Sequence, residues 1–420
     1  MCVGDINMNP SIQTCNTSFT SKISTIPSLK QLNSHQVHLR DVKLNGYTAF
    51  IGGDVFTPSN KIVKQNLLFN DKRLIATDEF DENKIKDSVQ YVLLNDETIT
   101  PAMLDEHIHG GYGVNFHNSS ETQIRLLLRK LKETGTGAVI ATTLPGSTEN
   151  IKKQIKLLSN IIKNPNEGEA KIYGIHLEGP FLSPHKSGIH PPEILQEPTI
   201  ENYLALEPEN VKIVTLAPEE KGGIELAKYL NSNGVIASAG HTMALASDIV
   251  KSGIKQVTHI FNAMAPFRHR ELTVANEAIF NDEIAAEMNS DKSLLDPKIM
   301  DFVMRMKPKD KLILISDALP EAGIKKDFIM NNVLIHVKDD WTAISDDGKT
   351  LAGSMQFLHD LAKQLIDTTQ MKFQDFIRYA SVNPSKNLKV EKDFRIEKGF
   401  SPNFTVWNNK TIKPEKTFTI

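Results

Sequence analysis

A chain of 420 residues exceeds one average domain and suits a large barrel with a small satellite, since α/β barrels run past about 200 residues as one unit. Its 40% hydrophobic and 24% charged residues match a folded globular protein and exclude disorder over most of the length. The 48 basic and 51 acidic residues leave a net charge of -3, which excludes a global basic field for nucleic acid or an anionic membrane; an anionic substrate must be met locally.

Residues 1 to about 35 are rich in Ser, Thr, Asn and Pro and read as a polar N-terminal extension. Both cysteines, Cys2 and Cys15, fall there, so no disulfide framework staples a core, as expected in a reducing cytosol. No apolar run approaches the ~18 residues of a membrane span, and the start lacks the basic and apolar regions of a secretory signal. A cytoplasmic protein is expected, with neither membrane nor nucleic acid as partner.

From residue 36 to 98, short β-like runs such as Tyr47–Ile51 and Tyr91–Leu94 are broken by Gly52, Gly53 and Pro58. Residues 395–420 have the same character around Phe404–Trp407. The two ends are therefore expected to form one small discontinuous β-sandwich domain. Between them, over 99–394, eight short apolar runs alternate with segments of helical periodicity, the signature of parallel βα units. The runs end near His107, Thr143, Glu178, Pro218, Gly240, Asn262, Asn289 and Asp317. Thr122–Glu133, Asn150–Lys163 and Leu245–Ser252 read as intervening helices. Eight units in series predict a closed (β/α)8 TIM-type barrel, and the polar residues fall at the C-terminal strand ends, where such barrels build their sites.

The first strand ends in Asp105-Glu106-His107-Ile108-His109-Gly110-Gly111. Residues two apart on an extended strand face one side, so both imidazoles can reach one ion. The third run closes on Glu178, and burying an unpaired carboxylate costs several kcal/mol, ~3–5 when a partner is missing, so it needs a cation. A metal would serve, and so would a buried Arg or Lys. His176, two residues earlier, lies deeper and reads as a packing or supporting histidine. His241 and His259 end the fifth and sixth runs. Each could be a hydrogen-bonded core group; with Glu178 they also make the nitrogen and oxygen set that zinc or ferrous iron prefers. Asp317 ends the eighth run, placed either to take a proton from an activated water or to cap the next helix.

The strings HIHGGYGV, HLEGPFLSPHKSGIH, AGHT, THIFNAMAPFRHRE, SDALPEAG and LAGS, in this order and spacing, resemble the N-acetylglucosamine-6-phosphate deacetylase family of the amidohydrolase superfamily, over about residues 40 to 410. The resemblance implies removal of the acetyl group of N-acetylglucosamine-6-phosphate by a hydrolase with one or two divalent ions, zinc or iron. It makes Glu178, His241 and His259 ligands of the main metal, His107 and His109 ligands of a second, and Asp317 the general base and acid. His190 matches a substrate-contacting histidine, and Asn262 and Ala263 match residues whose backbone meets the sugar phosphate. Arg270 matches an arginine that reaches the phosphate in the neighbouring subunit, which implies a homodimer. Where the family pattern is Asp-Gly-x-His, this chain has Glu287-Met288-Asn289-Ser290, so Ser290 stands in place of a substrate-contacting histidine. The rival readings are a deacetylase of a related sugar such as N-acetylgalactosamine-6-phosphate, and a sugar-phosphate-binding protein without turnover. A bridging carboxylated lysine, as in hydantoinases, has no counterpart; Glu178 takes that role.

Overall fold

The computed structural model describes residues 38–78, 89–92, 96–330 and 333–419. The polar extension with both cysteines, and Leu93 and Leu94, lie outside the described residues. Eight parallel strands pair in chain order: Met103–Ile108, Thr136–Thr143, Lys171–Glu178, Val211–Leu216, Ile236–Ala239, Gln256–Val257, Ala285–Asn289 and Leu312–Ile315. The ends of this sheet join where Ile108 bridges Ala318 in parallel, with the Asp317 N–H donating to the His107 carbonyl at 2.9 Å. The barrel is therefore closed at the level of the site residues.

Strand alternation divides the barrel interior into two layers. Ala138, Ile140 and Thr142 face inward on the second strand, Ile213 and Thr215 on the fourth, and Ile236 and Ser238 on the fifth, so each strand passes from an apolar floor to a polar top. Leu104, Ala138, Ile140 and Ile213 pack with Phe394 in the floor. Outside, the helices lay amphipathic faces on the strands. Glu121–Glu133 buries Ile124, Leu127, Leu128 and Leu131 and starts from a capping box between Ser120 and Gln123. Thr148–Lys163 buries Ile151, Ile155 and Leu158 behind an Ser147 cap, and Ala246–Ser252 is a third helix read from sequence.

The second, third and seventh strands end at Thr143, Glu178 and Asn289, as expected. The sixth stops at Val257, short of Asn262, because His259, Phe261 and Ala263 take left-handed backbone (φ 30, 74 and 44°) that no strand can hold.

Both chain ends enter one seven-stranded sheet, in which Phe404–Asn408 pairs antiparallel with Glu97–Pro101. Lys413–Phe418 lies three strand spacings from Tyr47–Phe56, roughly 14 Å across a flat sheet. The Phe50 and Phe418 rings are nonetheless 5.7 Å apart. The sheet therefore folds over its own face, around a cluster that includes Phe69 and Phe404. A three-stranded sheet, Phe328–Met330, Val333–Val337 and Ala343–Ser345, follows the eighth barrel strand; it was not anticipated, and Met330 lines the cavity at the C-terminal ends of the barrel strands. Among the described residues no helix is long and apolar enough to cross a membrane.

Candidate active site

Glu178 is the hub of the barrel mouth. Its Oε1 lies 3.3 Å from His107 Nε2, 3.3 Å from His241 Nε2 and 3.1 Å from His259 Nε2, while Oε2 lies 3.1 Å from His109 Nε2. Asp317 Oδ1 is 3.6 Å from His107 Nε2 and 3.4 Å from His109 Nε2. Burial pushes the Glu178 carboxyl up, yet the His107 and His109 imidazoles hold it well below the usual range. Burial pushes His107 down in turn, and the Glu178 and Asp317 carboxylates draw it well above its ordinary value. His109 and His259 are raised by the same balance.

The outer nitrogens of two imidazoles are already committed. His107 Nδ1–H donates to Glu287 Oε2 at 3.1 Å, and His241 Nδ1–H donates to the Lys186 carbonyl at 2.8 Å. In the neutral ring each then turns a lone pair on Nε2 toward the Glu178 carboxylate, an arrangement that repels unless a proton or a metal cation stands between them. His107 Nε2 is buried without a hydrogen-bond partner, as are His109 Nδ1 and His259 Nδ1. Two ligand atoms each ~2.1 Å from one tetrahedral ion would be roughly 3.4 Å apart, close to the separations around Glu178. His107, His109 and Asp317 form one group able to hold an ion, and Glu178, His190 and His241 another. The donor set thus fits a divalent metal.

Strained backbone aims these side chains. His241, His259 and Asp317 all have positive φ (48, 30 and 52°), a conformation that costs about 1–3 kcal/mol per non-glycine residue and is tolerated where the surroundings fix it. Asp317 is fixed on three sides. Its N–H donates to the His107 carbonyl, its own carbonyl accepts from Ser354 N–H at 2.8 Å, and its Oδ2 accepts from Asn289 Nδ2 at 3.2 Å. The Asp317 side chain is 13% exposed and that of Glu178 3%, so Asp317 is the carboxylate more open to solvent.

A cavity of about 470 Å³ opens over this floor. His109, Glu178, His190, His241, His259, Asn262, Ala263 and Asp317 line it; His107 lies beneath, and Arg270 is exposed on a neighbouring segment outside the lining. The buried His190 ring is 5.5 Å from that of His241, and burial, with His241 alongside, pushes it down to about 3. It is neutral at ordinary pH. His176 sits below the site, bonded to Thr215 Oγ1 at 2.7 Å in a hydroxyl chain through Thr258 to Ser238. With His107 and Glu287 it also forms a further buried group of close donor atoms.

Sequence reasoning missed Glu287 and Asn289. Both face inward by strand alternation, whereas Met288 packs in the outer core and Ser290 is wholly buried, its hydroxyl without a partner among the described residues. At this strand end Asn289 bonds the Asp317 carboxylate, and neither Asn289 nor Ser290 is among the residues that line the cavity. The signal was available: Glu287 interrupts an apolar strand just as Glu178 does.

A carboxylate ringed by imidazoles, beside an accessible aspartate at the C-terminal mouth of a closed parallel barrel, defines the amidohydrolase class of site, and the chain belongs to the amidohydrolase family, which matches residues 98–420. The N-acetylglucosamine-6-phosphate deacetylase of Bacillus subtilis (strain 168) is 33% identical over 343 residues, covering 79% of this chain and 85% of that protein. The Homo sapiens enzyme of the same name is 28% identical over 354 residues, covering 79% and 84%. Among solved structures, a variant of the Mycobacterium smegmatis N-acetyl-D-glucosamine-6-phosphate deacetylase, in complex with N-acetyl-D-glucosamine-6-phosphate, shares the fold with a TM-score of 0.81 at 23% identity, covering 89% of this chain and 98% of that one. The Pasteurella multocida N-acetylglucosamine-6-phosphate deacetylase gives 0.80 at 22%, with the same coverage.

Proposed function

We infer that the protein is a metal-dependent deacetylase that hydrolyses N-acetylglucosamine-6-phosphate to glucosamine-6-phosphate and acetate. The Glu178 hub with its four imidazoles, set against Asp317 in one cavity, carries this reading, and the Bacillus subtilis relative supports the substrate. Glu178, His241 and His259 would hold the principal ion and His107 and His109 a second; nitrogen and oxygen donors of this kind suit zinc or iron. A metal held there would supply Lewis acidity to the acetamide carbonyl and would make water at the site more acidic.

The chain's own residues do the rest. Asp317 accepts the proton of the attacking water as the new C–O bond forms, while Asn289 steadies its other oxygen. The same carboxyl then gives that proton to the amide nitrogen as the C–N bond breaks, so the amine leaves neutral and Asp317 is restored. Neutral His190 is placed to donate an N–H to the carbonyl oxygen as it gains charge. The backbone at Asn262 and Ala263 would contact the sugar, and Arg270 the phosphate in the neighbouring subunit of a cytoplasmic homodimer.

Acetate release from N-acetylglucosamine-6-phosphate, N-acetylgalactosamine-6-phosphate and plain N-acetylglucosamine, measured beside the metal content, tests this. The glucosamine phosphate should be hydrolysed most efficiently, and Glu178→Gln should lose both bound metal and turnover. Faster hydrolysis of the galactosamine phosphate, or full metal content in Glu178→Gln, would overturn the substrate or the site respectively.

A further inference from the structure

Beneath His107 the barrel interior holds two further carboxylates, Glu106 and Glu287, both wholly buried. Neither forms an ion pair with a Lys or Arg among the described residues. Glu106 and His107 are neighbours in sequence, yet both reach inward, because the first strand bulges there: Asp105 pairs with Val139 and Ile108 with Ala141, three steps against two. Glu287 comes from the seventh strand, Gln256 from the sixth, and Asn387 from the helix Asn383–Asn387.

The hydrogen bonds among these groups run one way. Gln256 Nε2 donates to Glu287 Oε1 at 2.8 Å and to Glu106 Oε1 at 3.1 Å, while the Gln256 side-chain oxygen accepts from Asn387 Nδ2 at 2.7 Å. Asn387 Nδ2 also lies 3.4 Å from Glu106 Oε2, so turning either amide over would set an oxygen against a carboxylate. Glu287 Oε1 must therefore accept. Glu287 Oε2 accepts from the His259 N–H at 3.3 Å, a backbone group that can only donate, and meets His107 Nδ1 at 3.1 Å. The backbone carbonyl of Glu287 accepts in turn from the Ile260 N–H at 2.8 Å.

One carboxylate thus holds two site histidines by different handles. With both of its oxygens accepting, His107 presents Nδ1–H to it, which leaves Nε2, facing Glu178, as the atom free to bind an ion. His259 is held instead through its N–H, where a φ of 30° carries the chain out of the sixth strand. We propose that Glu287 is a positioning residue for both proposed ions, fixing the tautomer of His107 and the backbone of His259, while Gln256, Asn387 and Glu106 keep its two oxygens in the accepting role. This rests on the reading of those histidines as metal ligands. In Glu287→Gln an amide of nearly the same volume has only one accepting end. Its NH2 then either opposes the NH2 of Gln256, or opposes the His259 N–H and donates to His107 Nδ1, which puts the ring proton on Nε2 and blocks the ion.

Zinc affinity by chelator competition, and nitrogen NMR of selectively labelled histidines, test it on the wild type, His107→Ala and Glu287→Gln, with zinc as the only added metal. In the zinc-loaded wild type, His107 should keep its proton on Nδ1 and carry zinc on Nε2. In Glu287→Gln the zinc at His107 should bind roughly 10–100-fold more weakly, the range for losing the partner behind a ligating imidazole, with a smaller loss at His259. The His107 proton should move to Nε2 in that variant, a change that mere loss of stability would not produce. Zinc on His107 Nδ1 in the wild type, a result that depends on no variant folding, would overturn the proposal, as would a folded Glu287→Gln with unchanged zinc affinities. Wild-type zinc content that His107→Ala leaves unaltered would instead remove His107 from the ligand set, and its proposed tautomer control with it.

Discussion

Glu178 would be a costly residue alone, since a buried carboxylate without a partner is destabilising by about 3–5 kcal/mol. Here the cost is offset by four imidazoles from three strand ends, and the same residues that neutralise the charge would serve as a metal's ligands. Asp317 differs in being reachable, held at one oxygen by Asn289 and at its backbone by His107 and Ser354. Asp317→Asn keeps the volume and can still accept from Asn289, yet cannot take a proton. Metal should stay bound, and acetate release should fall at least ~100-fold. Near-normal turnover with metal in place would move the base elsewhere. At this scale the His-x-His pair, Glu178, His241, His259 and Asp317 were legible because each is a polar residue closing an apolar run. Asn289 was not, because its importance depends on which way the last strand residue faces.

The strands themselves were legible where an apolar run ends in a turn signal, as at Thr143 and Glu178. The sixth was not, because residues of high β propensity at Thr258 and Ile260 continue past the point where left-handed His259 breaks the strand. The three-stranded sheet after the eighth strand escaped notice because each strand is only three to five residues long, too short for alternation to stand out. The segment leading out of it has little freedom. Ser354 is pinned to Asp291 Oδ2 by a 2.6 Å hydrogen bond and to the Asp317 carbonyl by its N–H, so the methyl group of Gly353→Ala would press on the Asp317 backbone with no room to withdraw. This substitution should reduce kcat more than it raises KM, with metal retained and stability lowered by about 1–3 kcal/mol. Unchanged kcat would show that the segment can move without displacing the base.

At the scale of the whole molecule, pairing of Phe404–Asn408 with Glu97–Pro101 ties the two ends of the described chain into one sheet, which meets the barrel at the start of its first strand, where the Asn403 carbonyl accepts from the Ala102 N–H. Beside the barrel mouth, the segment carrying Arg270 is held firmly. Asn276 accepts from the Arg268 N–H at 3.0 Å and donates to the Arg268 carbonyl at 2.8 Å, while Thr273 Oγ1 donates to the Pro266 carbonyl at 3.0 Å. The segment also exposes Phe267 and Leu272, with Phe267 in edge contact with the exposed Phe280 at 5.6 Å. A rigid loop that presents an arginine among uncovered apolar side chains has the composition of an interface core, where aromatic residues and arginine are enriched. If the proposed dimer forms there, Phe267→Asp should shift the protein toward monomer in sedimentation velocity, because it would place an unpaired carboxylate in a desolvated contact. The same variant should lose phosphate preference as Arg270→Ala does, although Phe267 is not among the residues that line the cavity over Glu178, while keeping its metal. A monomeric wild-type protein, or a monomeric Phe267→Asp variant with undiminished preference for the phosphorylated sugar, would separate Arg270 from substrate recognition.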